Sequence, residues 1–486
     1  MTSLRKWKRY FTSAMALVFL FASIPTVTQA ESVTEEWKLT DQVGGITKSL
    51  CLEGDTLYIG SGLHVIAANV SNPGKIEVIG SSPLLPQVAE SIVCDGEGRL
   101  FVCCGSAGLV ILDVADPTSP KILGTLDTRG YSEGAAIVGN FILIADGPQG
   151  IIIADISNPA TPKIVSEAYP LAYIYDIVIQ NEVAYAAGST SGLFVLDIAD
   201  PLHPVESGFV QLNGAQYDAG IANGRLYLAG AWGGVSVFDL TDPLNPKQTA
   251  TVQTEGWAMA LAISGENLLV PDGANGIDLY EISTAQPKKL STLPYSGYVI
   301  DGELNGETAF VLDEEKGLMV FHCSAGSLTP ACRWIPLQDA RRLDMSEGIC
   351  YVAGGLSGLH AFDTNTKGTP AQTYWYDTVD GYANEVEVHN NTVYVAMRLA
   401  AQPPLMAFDV SDPYAIKKLG ILDNSDWRYG IKGGPLMFDE VHAYMTGMTP
   451  ISIDIGDPAN LKALGSVDVT ETGSGDVRGN LFIARS

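Results

Sequence analysis

The sequence predicts an all-β fold, a β-propeller made of four-stranded antiparallel blades. One segment recurs along the chain at a fixed interval, each copy holds four short β-rich runs, and helical periodicity is absent. A repeat of about 40–45 residues that carries four strands has the dimensions of a propeller blade. The acidic residue that ends one apolar run marks the interval of 42 residues, at Asp113, Asp155, Asp197, Asp239 and Glu281.

The repeat is clearest where this apolar run passes into a turn. Residues 108–121 read Gly-Leu-Val-Ile-Leu-Asp-Val-Ala-Asp-Pro-Thr-Ser-Pro-Lys, and residues 150–163 match them almost position by position. We expect the Asp side chain to accept hydrogen bonds from backbone amides ahead of it, and each Pro to fix φ where no ladder bond is needed. The segment recurs at 192–204 and 234–247 and, weakened, at 276–288. Copies around Asn69, Asp409 and Asp454 and degenerate ones around His322 and Asp363 bring the total to about ten units.

Within one unit, the four runs read as a meander of consecutive strands. In the fourth unit they cover 175–179, 183–187, 193–196 and 205–210, with Gly, Asn, Asp or Pro between them. We expect one wide ring, with two smaller rings broken near the degenerate units at 281–368 as the alternative. For closure, residues 37–39 resemble a fourth strand and residues 476–485 a first and second, so the ends either share a blade or belong to a longer chain.

The segments 108–117 and 192–201 resemble the LVIVD repeat of bacterial and archaeal surface proteins. They read Gly-Leu-Val-Ile-Leu-Asp-Val-Ala-Asp-Pro and Gly-Leu-Phe-Val-Leu-Asp-Ile-Ala-Asp-Pro. The resemblance covers almost all of residues 31–486, although the motif weakens between about 281 and 368. It implies a propeller, an extracellular location and ligands that are mostly unknown.

Composition narrows the functional classes. Hydrophobic residues form 46% of the chain and charged residues 17%, which is typical of a globular protein. The chain has 55 acidic and 28 basic residues, which gives a net charge of −27. A chain with this charge would repel nucleic acids, which are polyanions. The acidic excess suggests Ca²⁺ only weakly, since the spacing of an EF-hand is missing. No cofactor is expected, and no Cys/His spacing suggests zinc.

The first thirty residues read as a secretory signal. A basic stretch at 5–9 precedes an apolar run at 14–24, and Thr28-Gln29-Ala30 supplies small residues for cleavage. An uncleaved anchor is the alternative, but the run is shorter than the roughly 20 residues that cross a bilayer. We therefore expect a secreted or cell-surface protein in which residues 31–486 form the propeller and no later segment spans a membrane.

Seven cysteines follow the signal, too few for a disulfide framework in a chain of this length. Cys323 and Cys332 flank a turn-like stretch and could form a disulfide across a hairpin. The other five are expected to be small buried hydrophobic residues.

The candidate ligand site lies where the inner strands begin, because each blade contributes these positions to one shared concavity. Aromatic residues and carboxylates recur there and could bind sugar rings, a peptide or a cation. The alternative is packing of the aromatic rings between blades, and pairing of the two arginines with nearby carboxylates. The candidates are Tyr131, Tyr173, Tyr175, Asp176, Tyr217, Asp218, Trp257, Tyr298, Asp301, Arg341, Arg342, Tyr382 and Glu385.

No pattern in the sequence indicates catalysis. The segment 188–192 has Thr190 where a nucleophile elbow needs Ser, and the six histidines are scattered. The sequence therefore favours a binding scaffold for an extracellular protein or glycan. An extracellular hydrolase or lyase that acts on polysaccharide and a structural component of the cell envelope are the alternatives.

Overall fold

The computed structural model describes most of the chain from residue 44 onward. The described residues are 44–168, 172–295, 298–313, 316–324, 326–337, 339–365, 371–376, 381–398, 404–422, 435–445, 451–466, 474–478 and 481–485. The predicted signal at 1–30 and the strand expected at 37–39 lie outside them. The described chain divides into two compact units, residues 46–334 and residues 335–486 with 44–45.

The first unit, 46–334, holds seven four-stranded antiparallel sheets, which we call blades 1 to 7. Blade 1 has β1 (Thr47–Glu53), β2 (Thr56–Ser61), β3 (His64–Asn69) and β4 (Glu77–Ser81). Blade 2 has β5 (Ser91–Cys94), β6 (Arg99–Cys103), β7 (Leu109–Asp113) and β8 (Lys121–Leu126). Blade 3 has β9 (Gly134–Val138), β10 (Phe141–Ala145), β11 (Ile151–Asp155) and β12 (Lys163–Ala168). Blade 4 has β13 (Asp176–Gln180), β14 (Val183–Gly188), β15 (Gly192–Asp197) and β16 (Val205–Val210).

The remaining blades of this unit follow the same order. Blade 5 has β17 (Asp218–Ala222), β18 (Arg225–Ala229), β19 (Val235–Asp239) and β20 (Lys247–Val252). Blade 6 has β21 (Ala262–Ser264), β22 (Asn267–Pro271), β23 (Ile277–Glu281) and β24 (Lys288–Leu293), with a 3₁₀ turn at Gly273–Asn275. Blade 7 has β25 (Val299–Asn305), β26 (Thr308–Asp313), β27 (Gly317–Ser324) and β28 (Ser327–Trp334).

The second unit holds three further four-stranded sheets and one pair of strands within its described part. Blade 8 has β29 (Arg342–Ser346), β30 (Ile349–Ala353), β31 (Leu359–Asp363) and β32 (Ala371–Tyr376). Blade 9 has β33 (Ala383–His389), β34 (Thr392–Met397), β35 (Leu405–Asp409) and β36 (Lys417–Ile421). Blade 10 has β37 (Leu436–Phe438), β38 (His442–Met445), β39 (Ile451–Asp454) and β40 (Lys462–Ser466). The pair is β41 (Ser474–Arg478) and β42 (Leu481–Arg485), where a first and second strand are predicted.

The first unit closes on itself. The first strand of each blade contacts the first strand of the next, and β25 of blade 7 contacts β1 of blade 1. In the described part of the first unit, each sheet consists of four consecutive strands. The propeller class and the ten four-stranded sheets agree with the sequence prediction. The division between the two units at 334–335 falls within the degenerate region 281–368, where the alternative of two smaller rings places a break.

Hydrophobic layers between neighbouring blades form the core of the first unit. The middle strands are buried on both faces, as with Leu143 on β10 and Leu196 on β15, which belong to one cluster that joins blades 3 and 4. Blades 5 and 6 are joined in the same way through Val237 and Leu268. The fourth strands are more exposed, since each lies at the outer edge of its sheet. This layering holds the turns at both ends of each blade in place.

The predicted disulfide is wrong. Cys323 and Cys332 are free thiols, and the register of β27 and β28 places Cys332 opposite Val320 rather than opposite Cys323. The structure instead joins Cys51 on β1 to Cys94 on β5, between blades 1 and 2, which corrects the expectation that these two are free buried residues. Cys103, Cys104 and Cys350 are buried free thiols, as predicted.

Candidate functional site

Each blade has two ends with different roles. At one end, which we call the Asp-Pro end, lie the first-to-second strand turn and the Asp-Pro turn, for example 181–182 and 198–204 of blade 4. At the other, the connection end, lie the second-to-third strand turn and the segment that leads into the next blade, for example 189–191 and 211–217. The candidate residues of the first unit all lie at or just below its connection end.

The connection end has a regular framework. A backbone bridge links the second-to-third strand turn of one blade to the start of the next blade. The bridges pair Gly105 with Ser132, Gly147 with Ile174, Ser189 with Gln216 and Ala231 with Ala258. Because these pairs occupy equivalent positions, side chains in this region can be compared from blade to blade, one repeat of 42 residues apart.

Two of the predicted tyrosines act as straps between blades. Tyr131 donates its hydroxyl to Glu90 Oε1 of the preceding blade at 2.7 Å, and Tyr173 donates to Glu133 Oε1 at 2.5 Å. Burial is the main cause that raises the pKa of Tyr173, and the Glu133 carboxylate adds to it. Burial also raises the pKa of Glu133. These two tyrosines therefore match the interpretation as packing between blades.

Tyr175 and Tyr217 form an aromatic row with Tyr173. The ring centroids of Tyr175 and Tyr217 are 4.8 Å apart, as are those of Tyr173 and Tyr175. All three side chains are half-buried. Blade 5 has Ala215 in place of the strap tyrosine. Its contact with the preceding blade is made instead by Tyr217, which packs on the aromatic ring of Tyr175.

The exposed aromatic residues lie further around the ring, at blades 5 to 7. Trp257 is 48% exposed and Tyr298 is 37% exposed. The Trp257 ring meets Trp232, which is 57% exposed, edge to face at a centroid distance of 5.9 Å. Trp232 is not among the predicted residues, because it lies in the second-to-third strand turn of blade 5 rather than at the start of an inner strand. Its signal is that it departs from the repeat, since blade 4 has Thr190 there.

The three predicted aspartates of the first unit join blades through the backbone. Each carboxylate accepts a backbone N–H from the first strand, or the residue just before it, of the following blade. Asp176 Oδ2 accepts from Ala219 at 3.1 Å, Asp218 Oδ2 from Leu261 at 2.6 Å, and Asp301 Oδ2 from Leu50 at 2.8 Å. The last of these bonds lies at the closure of the ring, between blades 7 and 1.

The environment of these carboxyl groups favours their protonated forms. Burial is the main cause that raises the pKa of Asp176 and of Asp301, and the nearby Asp218 carboxylate raises both further. Glu303, which the sequence analysis missed, lies two residues beyond Asp301 on β25 and accepts a backbone hydrogen bond from Leu52 of β1. Burial, with a contribution from Asp218, raises the pKa of Glu303 to about 7. An ion pair of Lys48 and Glu90 lies among the same first strands.

The other four predicted residues lie in the second unit and pair there. Arg342 Nε lies 3.1 Å from Glu385 Oε2, and Arg341 Nη2 lies 2.7 Å from Asp339 Oδ2. Tyr382 donates its hydroxyl to the same Asp339 oxygen at 2.5 Å, and its ring lies under the Arg341 guanidinium at 5.1 Å. The two arginines are thus paired with carboxylates of their own unit.

Two classes of feature are missing from the described part of the chain. No group of three or more His, Cys, Asp or Glu side chains is arranged to hold a metal ion. No helix there is long and apolar enough to cross a membrane.

The solved structure of PorZ supports the fold. PorZ, a bacterial surface component of the type-IX secretion system of Porphyromonas gingivalis, is 16% identical with a TM-score of 0.52. The match covers 89% of this chain and 61% of PorZ. A computationally designed protein, Ika8, is 10% identical with a TM-score of 0.47, over 65% of this chain and 96% of its own. The β-propeller domain of Cps50 (Swd1) from Myceliophteria thermophila is 14% identical with a TM-score of 0.48, over 57% and 95%.

Comparison of sequences supports the repeat. No curated protein matches the chain. The LVIVD repeat family model matches residues 96–128, 129–168 and 173–211, which include most of blades 2, 3 and 4. The predicted resemblance is therefore confirmed, and this part of the chain is built of LVIVD repeats.

Proposed function

We propose that the protein is a secreted or cell-surface propeller that binds an extracellular protein or carbohydrate and performs no reaction. The signal pattern at 1–30 and the resemblance to LVIVD surface proteins support the location. A rigid ring of blades suits binding, because little conformational entropy is lost when a preformed surface meets its ligand.

The observation that carries the proposal is the exposure of Trp257 and Tyr298 at the connection end. Tyr131 and Tyr173 are straps to the preceding blade, whereas Trp257 remains 48% exposed. Trp and Tyr are enriched at binding sites, where their large rings provide much of the contact area. The connection end of blades 5 to 7 is therefore the proposed binding surface.

Binding is favoured over catalysis because the carboxylates of the inner strands are committed to structure. A polysaccharide hydrolase or lyase needs an acid and a base that reach the substrate. Asp176, Asp218 and Asp301 each bond a backbone amide of the next blade. Their raised pKa values follow from burial between blades, so these values do not require a catalytic role.

The test is a combined glycan and peptide array probed with the chain from residue 31. Trp257→Ala and Tyr298→Ala should each weaken the binding of whatever ligand the array identifies. Leu244→Ala is the control, because Leu244 is 39% exposed but lies at the Asp-Pro end of blade 5. An array without a bound ligand, or equal losses in all three variants, would contradict the proposal and favour a structural role in the envelope.

A further inference from the structure

A groove lies beside Trp232 at the connection end of blade 5, away from the row of tyrosines. Its volume is about 550 Å³, within the range of roughly 300–1,000 Å³ of small-molecule sites. The groove is lined by Trp232, four side-chain amides and two hydroxyl groups, with two glycines and one leucine. No lining residue is charged, although the chain as a whole carries a net charge of −27.

The groove lies where blade 5 differs from blade 4. In blade 4, Phe194 on β15 and Phe209 on β16 are directly paired in register, and their rings pack at 4.9 Å. In blade 5, the paired residues one repeat later are Ser236 and Thr251. Two small polar side chains thus replace two aromatic rings, and the space that the rings fill in blade 4 is open in blade 5.

The polar floor of the groove is ordered by its own hydrogen bonds. Gln248 donates from Nε2 to Ser236 Oγ at 3.2 Å and to Thr251 Oγ1 at 3.0 Å. Ser236 is 7% exposed, so its hydroxyl is buried and needs this partner. The Gln248 carbonyl oxygen remains to accept from a ligand, and each hydroxyl can both donate and accept.

The rim is equally well fixed. Trp232 lies in a tight turn closed by a hydrogen bond from Gly233 N to Gly230 O at 2.7 Å. The backbone of Gly214, with φ of +83°, approaches so closely that a Cβ there would lie 2.0 Å from Gly230 O. Buried Gln216 donates from Nε2 to Asn213 O at 3.1 Å and holds the same segment. The aromatic wall and the opposite rim therefore have set positions before any ligand arrives.

Two amides on the rim are available to a ligand. In the described part of the chain, the exposed side chains of Asn213 and Gln253 make no hydrogen bond to protein. An amide offers one acceptor and two donor hydrogens, which matches a ring that carries several hydroxyl groups. The Trp232 indole offers a flat apolar face of the kind that packs on the C–H face of a pyranose ring.

We propose that this groove binds a neutral oligosaccharide, stacked on Trp232 and hydrogen-bonded by the surrounding amides and hydroxyls. The inference rests on the proposed binding function and deepens it by naming the ligand class and the subsite. An anionic sugar would leave its charge unpaired against uncharged walls in an acidic protein. A peptide is the less suitable occupant, since the groove offers side-chain groups rather than a free strand edge lined by apolar pockets.

The experiment is isothermal titration calorimetry, in which defined hexasaccharides are titrated into the chain from residue 31. Neutral cellohexaose, xylohexaose, mannohexaose and chitohexaose are compared with anionic hexagalacturonate. The test variant is Trp232→Thr, which installs the residue that blade 4 carries at Thr190 and so suits the turn. We expect at least one neutral sugar to bind, and Trp232→Thr to weaken it about 30-fold, the loss of about 2 kcal/mol typical of an aromatic hot spot. Leu244→Thr should leave binding unchanged.

The outcomes separate this inference from the proposed function. Peptide binding on the array that needs Trp257 but not Trp232 would overturn the groove assignment and keep the binding scaffold. The groove assignment would also be overturned if hexagalacturonate were the only sugar that binds. The same holds if Trp232→Thr binds a neutral sugar as tightly as the parent chain does. The absence of any ligand, glycan or peptide, would overturn both. The melting temperature of Trp232→Thr, compared with that of the parent chain, shows that a loss of binding is not a loss of fold.

Discussion

The two ends of the blades differ in how strictly they repeat. At the Asp-Pro end, the same carboxylate–amide bond closes blade after blade. The Oδ1 atom of the residue that ends the third strand accepts from the backbone N–H two residues ahead. The bond occurs at Asp113, Asp155, Asp197, Asp239, Asp409 and Asp454, at 2.7–3.0 Å. At the connection end, the backbone bridges recur, but the side chains of the second-to-third strand turns change from one blade to the next.

This difference separates the residues that build the fold from those that act. A side chain with a structural task that the blades share recurs along the chain, as the turn aspartates do in all blades but 1, 6 and 7, which have Asn69, Glu281 and His322 there. A side chain found in one blade, such as Trp232 or Ser236, is not required by the architecture and must be explained by its own surroundings. The internal repeat thus provides a reference for each position.

The largest expected effect comes from making blade 5 like blade 4. The double variant Ser236→Phe/Thr251→Phe should fill the groove and abolish oligosaccharide binding, a loss of more than 30-fold by calorimetry. The rings should fit, because blade 4 accommodates Phe194 beside Gly188 and blade 5 has Gly230 at the equivalent position. The melting temperature should stay the same or rise, since two apolar side chains gain cover. A folded double variant that binds like the parent chain would break the comparison.

Removal of the ring-closing acceptor should destabilise the first unit. Asp301→Leu leaves the buried Leu50 N–H without the carboxylate that bonds it at 2.8 Å. An unsatisfied buried amide costs about 1–3 kcal/mol, which chemical denaturation can measure. Asp301→Asn is the matched control, because its amide oxygen can still accept, and it should lose much less. Equal losses in the two variants would indicate that packing, rather than the bond, matters at this position.

Stability should fall as the pH rises through neutrality, because of Glu303. Its pKa in the folded state is raised to about 7, above the ordinary 4.5, so the folded chain holds a proton that the unfolded chain has released. The stabilisation is fully present below about pH 4.5 and is lost as the pH rises to about 7. We expect Glu303→Gln to remove about 2 kcal/mol of this dependence between pH 5 and pH 8. An unchanged slope of unfolding free energy with pH in Glu303→Gln would contradict this assignment.

The smallest effect distinguishes straps from ligand contacts. Tyr173→Phe removes the hydroxyl that bonds Glu133 and should cost about 1 kcal/mol of stability, measured by thermal unfolding. Binding of any ligand found on the array should be unaffected. A large loss of binding with little loss of stability would return Tyr173 to the ligand site.

Much of the fold could be predicted because it repeats. The strands of blade 4 lie within one residue of the runs read from the sequence, and the turn aspartates bond the amides expected of them. The segment 188–192 is a turn between strands, as predicted. The closure after seven blades could not be read, since the bonds of Asp301 and Glu303 to β1 join residues about 250 positions apart with no motif.

The site was predicted in part. Alignment of the inner-strand starts correctly indicated that aromatic side chains gather at the connection end. The row of Tyr173, Tyr175 and Tyr217 is among the residues predicted in this way. The alignment does not distinguish a tyrosine that bonds the preceding blade from an exposed aromatic side chain. The difference depends on whether the preceding blade has a carboxylate such as Glu90 within reach of the hydroxyl. The groove was missed because its floor lies on the third and fourth strands. The exchange of Phe194 for Ser236 one repeat later is the signal that would have located it.

If the seven blades of the first unit form a ring, blades 1 and 7 are neighbours, which double electron–electron resonance distances between spin labels can measure. Asp55 of blade 1 and Glu307 of blade 7 are exposed, equivalent positions in the first-to-second strand turns, as are Asn140 and Glu182 of blades 3 and 4. Cysteines with spin labels would replace each pair in a Cys332→Ser background. We expect the same short distance for both pairs, because both join neighbouring blades. A distance between positions 55 and 307 that is much longer than that between positions 140 and 182 would contradict it.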